Sequence, residues 1–263
     1  MKGIVFTTLQ GIVEKVPFRN LLTGMWSRGW FPDVLRLTLT LGLPDGNSLM
    51  FKWPSQVKIV VDDVYEKAAY DRFWDVHEGF KVLDVGAYIG VYTLKMAKEA
   101  GCQGCVVSVE PEEENFRFLV RNIEINGFDN IIPVRAALSD FEGKGSLFLS
   151  VHGSGEHSLL SRSQIKIDVP VYTVDGLMQK LRMDSLDIMK IDVEGAEIQV
   201  LKGSNRMLRE HRIHRTVIAS YHYPNECSEV IHFLTTFNYR AFADKSYVYA
   251  FSNQESPDAT HFI

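Results

Sequence analysis

Cysteine is scarce: the 263 residues hold only Cys102, Cys105 and Cys227. Three thiols so unevenly placed cannot staple a small secreted scaffold, and the expected compartment is a reducing, cytoplasmic one. Long apolar runs are missing, since no uncharged stretch reaches the roughly 18 residues that a membrane-spanning helix needs. The apolar start, Gly3 to Val13, is short, is closed by Glu14 and Lys15, and lacks an Ala-x-Ala cleavage pattern, so no signal peptide is read there. A basic surplus is missing too, with 28 Lys+Arg against 33 Asp+Glu and a formal balance of −5. Binding nucleic acid over the whole surface would need the reverse, because phosphate neutralisation supplies most of that affinity. Internal repeats and low-complexity tracts are also absent. What is there, 46% hydrophobic and 23% charged residues, is the composition of a packed chain rather than a disordered one. The length suits one large domain with an appendage.

The expected division falls at residue 78. Residues 1–78 read as an extension packed on the core. Val5, Leu9, Ile12, Val13 and Val16 recur at helical spacing and predict a helix. The aromatic cluster Trp26, Trp30 and Phe31, with Arg28 beside it, suits a docked helix or a partly wet substrate lid. Val34 to Leu41 alternates at period 2, and Ser48 to Trp53 answers it across Pro44-Asp-Gly46, the signature of a hairpin. Val64 to Val76 is expected to be helical.

From Lys81 the chain alternates strand and helix. Strands are expected at Val82–Val85, Val106–Glu110, Ile131–Leu138, Ser185–Asp192 and Arg215–Ser220, with helices at Val91–Lys98 and Glu112–Asn126. Such alternation means βαβ units and a parallel sheet covered on both faces. An insert, Gly145–Ser150 and Ile165–Val171, flanks the polar loop His152 to Ser158. Tyr239–Ala243 and Tyr247–Phe251 form an antiparallel hairpin on the same sheet. The expected domain, residues 79–263, is α/β and Rossmann-like, with seven mostly parallel strands.

Chemistry concentrates first at Val82-Leu-Asp84-Val-Gly86-Ala-Tyr88-Ile-Gly90-Val-Tyr-Thr93, a strand running into a glycine-bearing turn and a helix. Glycine there lets backbone approach a ligand, and the helix start offers free N–H groups. A dinucleotide fingerprint needs G-x-G-x-x-G to touch a pyrophosphate, and that pattern is not met: Asp84 stands two before Gly86 and Tyr88 two after it. A carboxylate pointing into the turn would repel pyrophosphate and suit a cationic amino-acid moiety such as that of S-adenosylmethionine, with its sulfonium. At the end of the next strand, Glu110-Pro111 places an acid to accept both hydroxyls of a ribose. Together the two signals point to a nucleoside-containing cofactor.

Further residues carry a resemblance. Asp84-Val-Gly-Ala-Tyr-Ile-Gly90, Glu110-Pro111, Asn122 with Asn126, Ala137-Leu-Ser-Asp140, Val174-Asp175, Lys190-Ile-Asp-Val-Glu-Gly-Ala-Glu197 and Val200-Leu-Lys-Gly203 resemble the FkbM-type methyltransferase family over about residues 80–205. The resemblance implies a class I methyltransferase fold, S-adenosyl-L-methionine as donor, and an oxygen of a sugar or small metabolite as acceptor. The expected cofactor residues are Asp84, Gly86, Ala87, Tyr88, Gly90, Thr93, Glu110, Pro111, Asn115 and Ala137. One departure stands out: the family's turn normally reads Gly-Ala-Asn, and this chain has Tyr88.

Lys190, Asp192 and Glu194, at i, i+2 and i+4 of a central strand, are expected on one face near its carboxyl end. Burying three ionisable groups in a parallel sheet is costly unless they face a site or pair with each other. In the catalytic reading Asp192 orients the acceptor hydroxyl or takes its proton, Lys190 pairs with Asp192, and Glu194 stands further out toward substrate. His222, after the fifth strand, is the alternative base, with an unperturbed pKa near 6.5. Cys102-Gln-Gly-Cys105 has zinc-like spacing but no second Cys/His pair to complete it, so no metal is expected. The basic run Arg206 to Arg215 reads as an ordinary helix C-terminus or a phosphate grip. The expected function is methylation of a small-molecule acceptor, a sugar, a glycolipid or another small molecule, on oxygen, with no nucleic-acid partner. An RNA methyltransferase and a non-catalytic cofactor-binding module are the alternatives.

Overall fold

The computed structural model describes residues 37–53, 55–148 and 166–253, together with two short strands, β1 (Val5–Thr7) and β2 (Val13–Lys15). Trp26, Trp30, Phe31 and the loop 152–158 lie outside the described residues.

Runs of β-branched and aliphatic residues, buried on both sides, form the parallel strands of the central sheet. These are β5 (Lys81–Val85), β6 (Cys105–Val109), β7 (Ile131–Val134), β11 (Leu186–Ile191) and β12 (Ile213–Ala219). The hairpin β13 (Tyr239–Asp244) and β14 (Tyr247–Ser252) completes the sheet in the order β13-β14-β12-β11-β5-β6-β7, with β14 antiparallel to β12. The chain runs outward from β5 to β7, then returns past β5 to β11. The strand order therefore reverses between β5 and β11, and a crevice opens at their carboxyl ends. Helices α2 (Val91–Ala100) and α3 (Glu113–Asn126) join the strands of the first half. Helices α4 (Val174–Leu181), α5 (Glu197–Lys202), α6 (Asn205–Arg209) and α7 (Glu226–Thr236) belong to the second. Among the described residues no helix is long and apolar enough to cross a membrane.

A three-stranded side sheet, β8 (Ala137–Leu138), β10 (Lys166–Tyr172) and β9 (Gly143–Phe148), forms from the insert. The strand expected over Ile131–Leu138 is thus broken in two. Ala136 N–H donates to the Val134 carbonyl at 3.1 Å, a tight turn that carries β8 out of the main sheet to pair with β10.

The extension departs from expectation at its start. β1 and β2 are antiparallel strands, and Val5 pairs with Thr40 of β3 (Leu37–Gly42). At Val5–Thr7 and Val13–Lys15 strands replace the expected helix, because an open strand edge offers backbone hydrogen bonds that outweigh a weak local preference; Leu9, Ile12 and Val16 lie outside the described residues. The hairpin forms over the described residues, with β3 paired to β4 (Ser48–Trp53) across Asp45-Gly46, while residues 34–36 of the expected first strand lie outside them. The helix expected over Val64–Val76 is instead a short α1 (Val57–Val61) and a π-helical turn, Asp62–Glu66, followed by turns. Two asparagines of α3 dock the hairpin by imitating a neighbouring strand. Asn122 accepts from Met50 N–H at 2.6 Å and donates to the Met50 carbonyl at 2.9 Å. Asn126 accepts from Ser48 N–H and donates back to its carbonyl, each at 2.7 Å.

Candidate active site

The crevice floor is the turn from β5 into α2. Gly86 has φ +77°, and a Cβ there would meet the Asp192 carbonyl oxygen at 1.8 Å, so only glycine fits. Gly86 and Ala87 N–H groups both donate to the Val109 carbonyl at 3.0 Å, tying the turn to β6. Lys190 of β11 stands at the same register as Asp84 of β5. Its ammonium lies 3.0 Å from Asp84 Oδ1 and donates to the Gly86 carbonyl at 2.7 Å. Thr93 Oγ1 donates to Asp84 Oδ2 at 2.6 Å. Asp84 is fully buried beneath the turn instead of pointing into it, and Lys190 pairs with Asp84 rather than with Asp192. Adjacent strands lie about 4.8 Å apart, whereas residues i and i+2 of one strand are roughly 6.6 Å apart, so the cross-strand partner wins.

Of the residues expected to hold a cofactor, Gly86, Ala87, Tyr88, Glu110, Pro111, Asn115 and Ala137 line one pocket over this turn; Asp84, Gly90 and Thr93 lie outside its lining. Glu110 ends the β6 segment at its far side. Its Oε2 accepts from Tyr88 N–H at 2.9 Å, and Oε1 from Glu112 N–H at 3.0 Å and Asn115 Nδ2 at 3.4 Å. Burial pushes this carboxyl up to about 8, against the pull of those three donors. Tyr88 has φ +52°, in the left-handed region that asparagine tolerates best, and it serves Glu110 through its backbone.

Across the pocket, Asp192 follows β11 and is anchored by its N–H to the Val85 carbonyl at 3.0 Å. Its Oδ2 accepts from Tyr70 O–H at 2.8 Å. Tyr70 packs on Tyr92 and Tyr247, and Lys190 Nζ lies 5.3 Å from its ring centroid. No sequence motif marks Tyr70, which comes from a turn 122 residues away from Asp192. β11 ends at Ile191, so Glu194 is not the third member of a strand face. It sits at φ +57° in a tight loop with Gly195 at φ +97°. Glu197 Oε1 holds that loop, accepting from Val193 N–H at 3.0 Å and Gly195 N–H at 3.3 Å.

Behind Asp192 and Glu194, His222 is ringed by carboxylates. Its Nε2 lies 3.8 Å from Asp192 Oδ1 and 3.5 Å from Glu194 Oε2; Nδ1 lies 3.4 Å from Glu197 Oε1 and from Glu226 Oε2. Burial pulls the imidazole pKa down, but contact with Glu226 and the charges of Glu197, Asp192 and Glu194 outweigh it and hold the ring up at about 9. Every close carboxylate neighbour favours the proton, which holds the ring above the unperturbed value near 6.5. Burial raises Glu197 to about 8, while Glu226, also buried, is drawn below the ordinary carboxylate value by His222 and Glu197.

The basic run lies at the amino end of β12, the edge opposite the pocket. Arg206 contacts Asp175, Arg209 contacts Asn205, Arg212 contacts Glu210, and Arg215 sits over the Phe80 ring. Its charges are engaged locally and face away from the candidate site.

Five parallel strands with an antiparallel strand inserted next to the fifth, and acids after the second and fourth, define a class I methyltransferase fold. A family model described as the methyltransferase FkbM domain matches residues 84–241, more than half the chain, and the protein belongs to that family. Among its relatives, the hexuronic acid methyltransferase AglP of Haloferax volcanii is 28% identical over 127 residues, 48% of this chain and 50% of that one. Methyltransferase 1 of Beauveria bassiana is 23% identical over 171 residues, 56% of this chain and 68% of that one. A crystal structure of methyltransferase FkbM from Methylobacillus flagellatus aligns with TM-score 0.48 and 18% identity, covering 65% of this chain and 43% of that one. The match thus spans half the length of the archaeal relative.

Proposed function

We propose that the protein transfers a methyl group from S-adenosyl-L-methionine to an oxygen of a sugar, glycolipid or other small acceptor in the cytoplasm. The observation that carries this reading is the charge of one continuous pocket. Asp63, Glu110, Asp192 and Glu194 line it, and the one Lys or Arg among its described lining residues, Lys190, is neutralised by Asp84. Asp192 and Glu194 present acidic oxygens to a cationic sulfonium, Glu110 presents oxygens to ribose hydroxyls, and a pyrophosphate would meet no basic side chain in the described lining other than the neutralised Lys190. Glu110, steadied by Asn115 and the Tyr88 N–H, would accept the ribose hydroxyls. Gly86, Ala87 and Pro111 would form the close backbone wall, and Ala137 the apolar one.

When bound, S-adenosyl-L-methionine supplies a methyl carbon whose bond to sulfur breaks with its electron pair returning to sulfur, so the acceptor oxygen has to shed a proton. Asp192, oriented by Tyr70, would position that hydroxyl, and the carboxylates of Asp192 and Glu194 would receive its proton. Gln56, Ile59, Val60 and Asp63 wall the acceptor side, which supports residues 1–78 as the extension that selects the acceptor for the 79–263 domain. The hexuronic acid named for the archaeal relative supports a carbohydrate acceptor. Incubating the protein and a metabolite extract with isotope-labelled S-adenosyl-L-methionine, followed by mass spectrometry, tests the reading. A labelled small-molecule product is expected. Tight NAD binding without S-adenosyl-L-methionine binding would overturn it.

A further inference from the structure

We infer that Asp192, Glu197 and His222 form a binding site for one divalent first-row metal ion on the acceptor side of the pocket. Each residue offers one ligand atom, and these atoms lie within 4.8 Å of one another. They come from the end of β11, the start of α5 and the loop after β12, so no ligand spacing in the sequence reveals them.

A second observation points to a ligand. Asp192 Oδ1 and Glu197 Oε2 are buried without a hydrogen-bond partner of ordinary geometry, although the other oxygens of the two acids are taken, and both ring nitrogens of His222 meet only carboxylate oxygens, at 3.4 to 3.8 Å. The Glu197 side chain is fully buried and that of His222 keeps 9% exposure. Buried polar atoms are rarely left so, and buried carboxylates are paired or bound to metal. The groups facing the imidazole are Asp192, Glu194, Glu197 and Glu226. A divalent ion in place of the ring proton would offset more of the acidic charge gathered around the imidazole.

The donor set of two carboxylates and one imidazole suits Mn²⁺, Fe²⁺ or Zn²⁺. With bonds of about 2.1 Å, ligand atoms around such an ion sit roughly 3–4 Å apart. A small side-chain rotation of Asp192 and Glu197 closes the observed spread. Asp192 faces the pocket, so open coordination positions would point at an acceptor oxygen and polarise it. That use rests on the methyltransferase reading; the ion site itself does not.

Titration of the full chain with Mn²⁺ at about pH 8, where binding has to displace the ring proton of His222, followed by electron paramagnetic resonance, tests the site without any methyl acceptor. One tightly bound Mn²⁺ per chain is expected, weakened about tenfold or more by Glu197→Gln and by His222→Ala. Glu197→Gln preserves the buried polar contour, and circular dichroism verifies that it folds. No bound Mn²⁺ at millimolar concentration, or binding that survives Glu197→Gln in folded protein, overturns the inference. Mn²⁺ binding without methyl transfer would sink the proposed function and leave the ion site standing.

Discussion

Lys190 and Asp84 face each other at one register of two neighbouring parallel strands, 3.0 Å apart, with side-chain exposures of 5% and 0%. The pair also fixes the turn above it through the Gly86 carbonyl. Lys190 is therefore a floor beam of the pocket. Removing one member of a buried pair strands the other, at a cost of about 3–5 kcal/mol. Lys190→Met is expected to lose that much in urea unfolding, and adding Asp84→Asn to it should recover part of the loss. Unchanged stability in Lys190→Met would show that the ammonium is not needed by the fold.

Gly86→Ala tests the tightest approach in the site. The added methyl would collide with the Asp192 backbone carbonyl, at a φ that L residues rarely adopt. Neither strand end can retreat, since Asp192 N–H is bonded to Val85. Destabilisation of about 4 kcal/mol or more is expected in thermal or chemical unfolding, with loss of S-adenosyl-L-methionine binding.

Glu110 is expected to make S-adenosyl-L-methionine affinity depend on pH. Its carboxyl is held up at about 8, from an ordinary 4.5, chiefly by burial. Because the folded value is raised, its contribution to stability is complete below 4.5 and lost as pH climbs to about 8. Ligand binding runs the other way, since the ionised carboxylate accepts ribose hydroxyls better than the protonated one. Calorimetry should show S-adenosyl-L-methionine affinity rising between about pH 6 and 9, with Glu110→Gln weaker and flat over the same range. A wild-type profile as flat as the variant's would remove Glu110 from ribose recognition.

Asp192→Asn is expected to lower turnover by roughly 10²–10⁴, the range for a positioned acid or base, while cofactor affinity and melting temperature stay near wild type. Tyr70→Phe removes the hydrogen bond that orients Asp192. Losing a bond to a charged group corresponds to about 1.5–3 kcal/mol, so turnover should fall about tenfold to a hundredfold with unchanged cofactor affinity. Stopped activity in a poorly folded Asp192→Asn protein would instead assign the carboxylate to the fold.

Asn122 holds the β3–β4 hairpin on α3 with one accepted and two donated hydrogen bonds, to Met50 and Ile89. Asn122→Ala leaves buried backbone groups unpaired at about 1–3 kcal/mol each. Limited proteolysis should then cut between β4 and β5 faster than in wild type, before the central sheet is lost.

The βαβ frame, the glycine turn and the acid at the end of β6 are legible in the order of residues alone. Those features are local. Apolar runs of four to seven residues, a glycine where the backbone must turn left-handed, and an acid directly after a strand each declare themselves within a few positions. The β3–β4 and β13–β14 hairpins were legible for the same reason, since their partners are joined by a short turn. Which charge meets which is set by the packing of distant segments. Lys190 finds Asp84 because strand register sets β11 against β5, and no spacing along β11 discloses that. Tyr70 reaches Asp192 from 122 residues away, and His222 is held toward its protonated form because Asp192, Glu194 and Glu197 after β11 converge on it with Glu226 of α7. β1 and β2 chose a strand edge over their own helical spacing, because a hydrogen-bonding partner brought close by the fold outweighs the weak preference of a short segment.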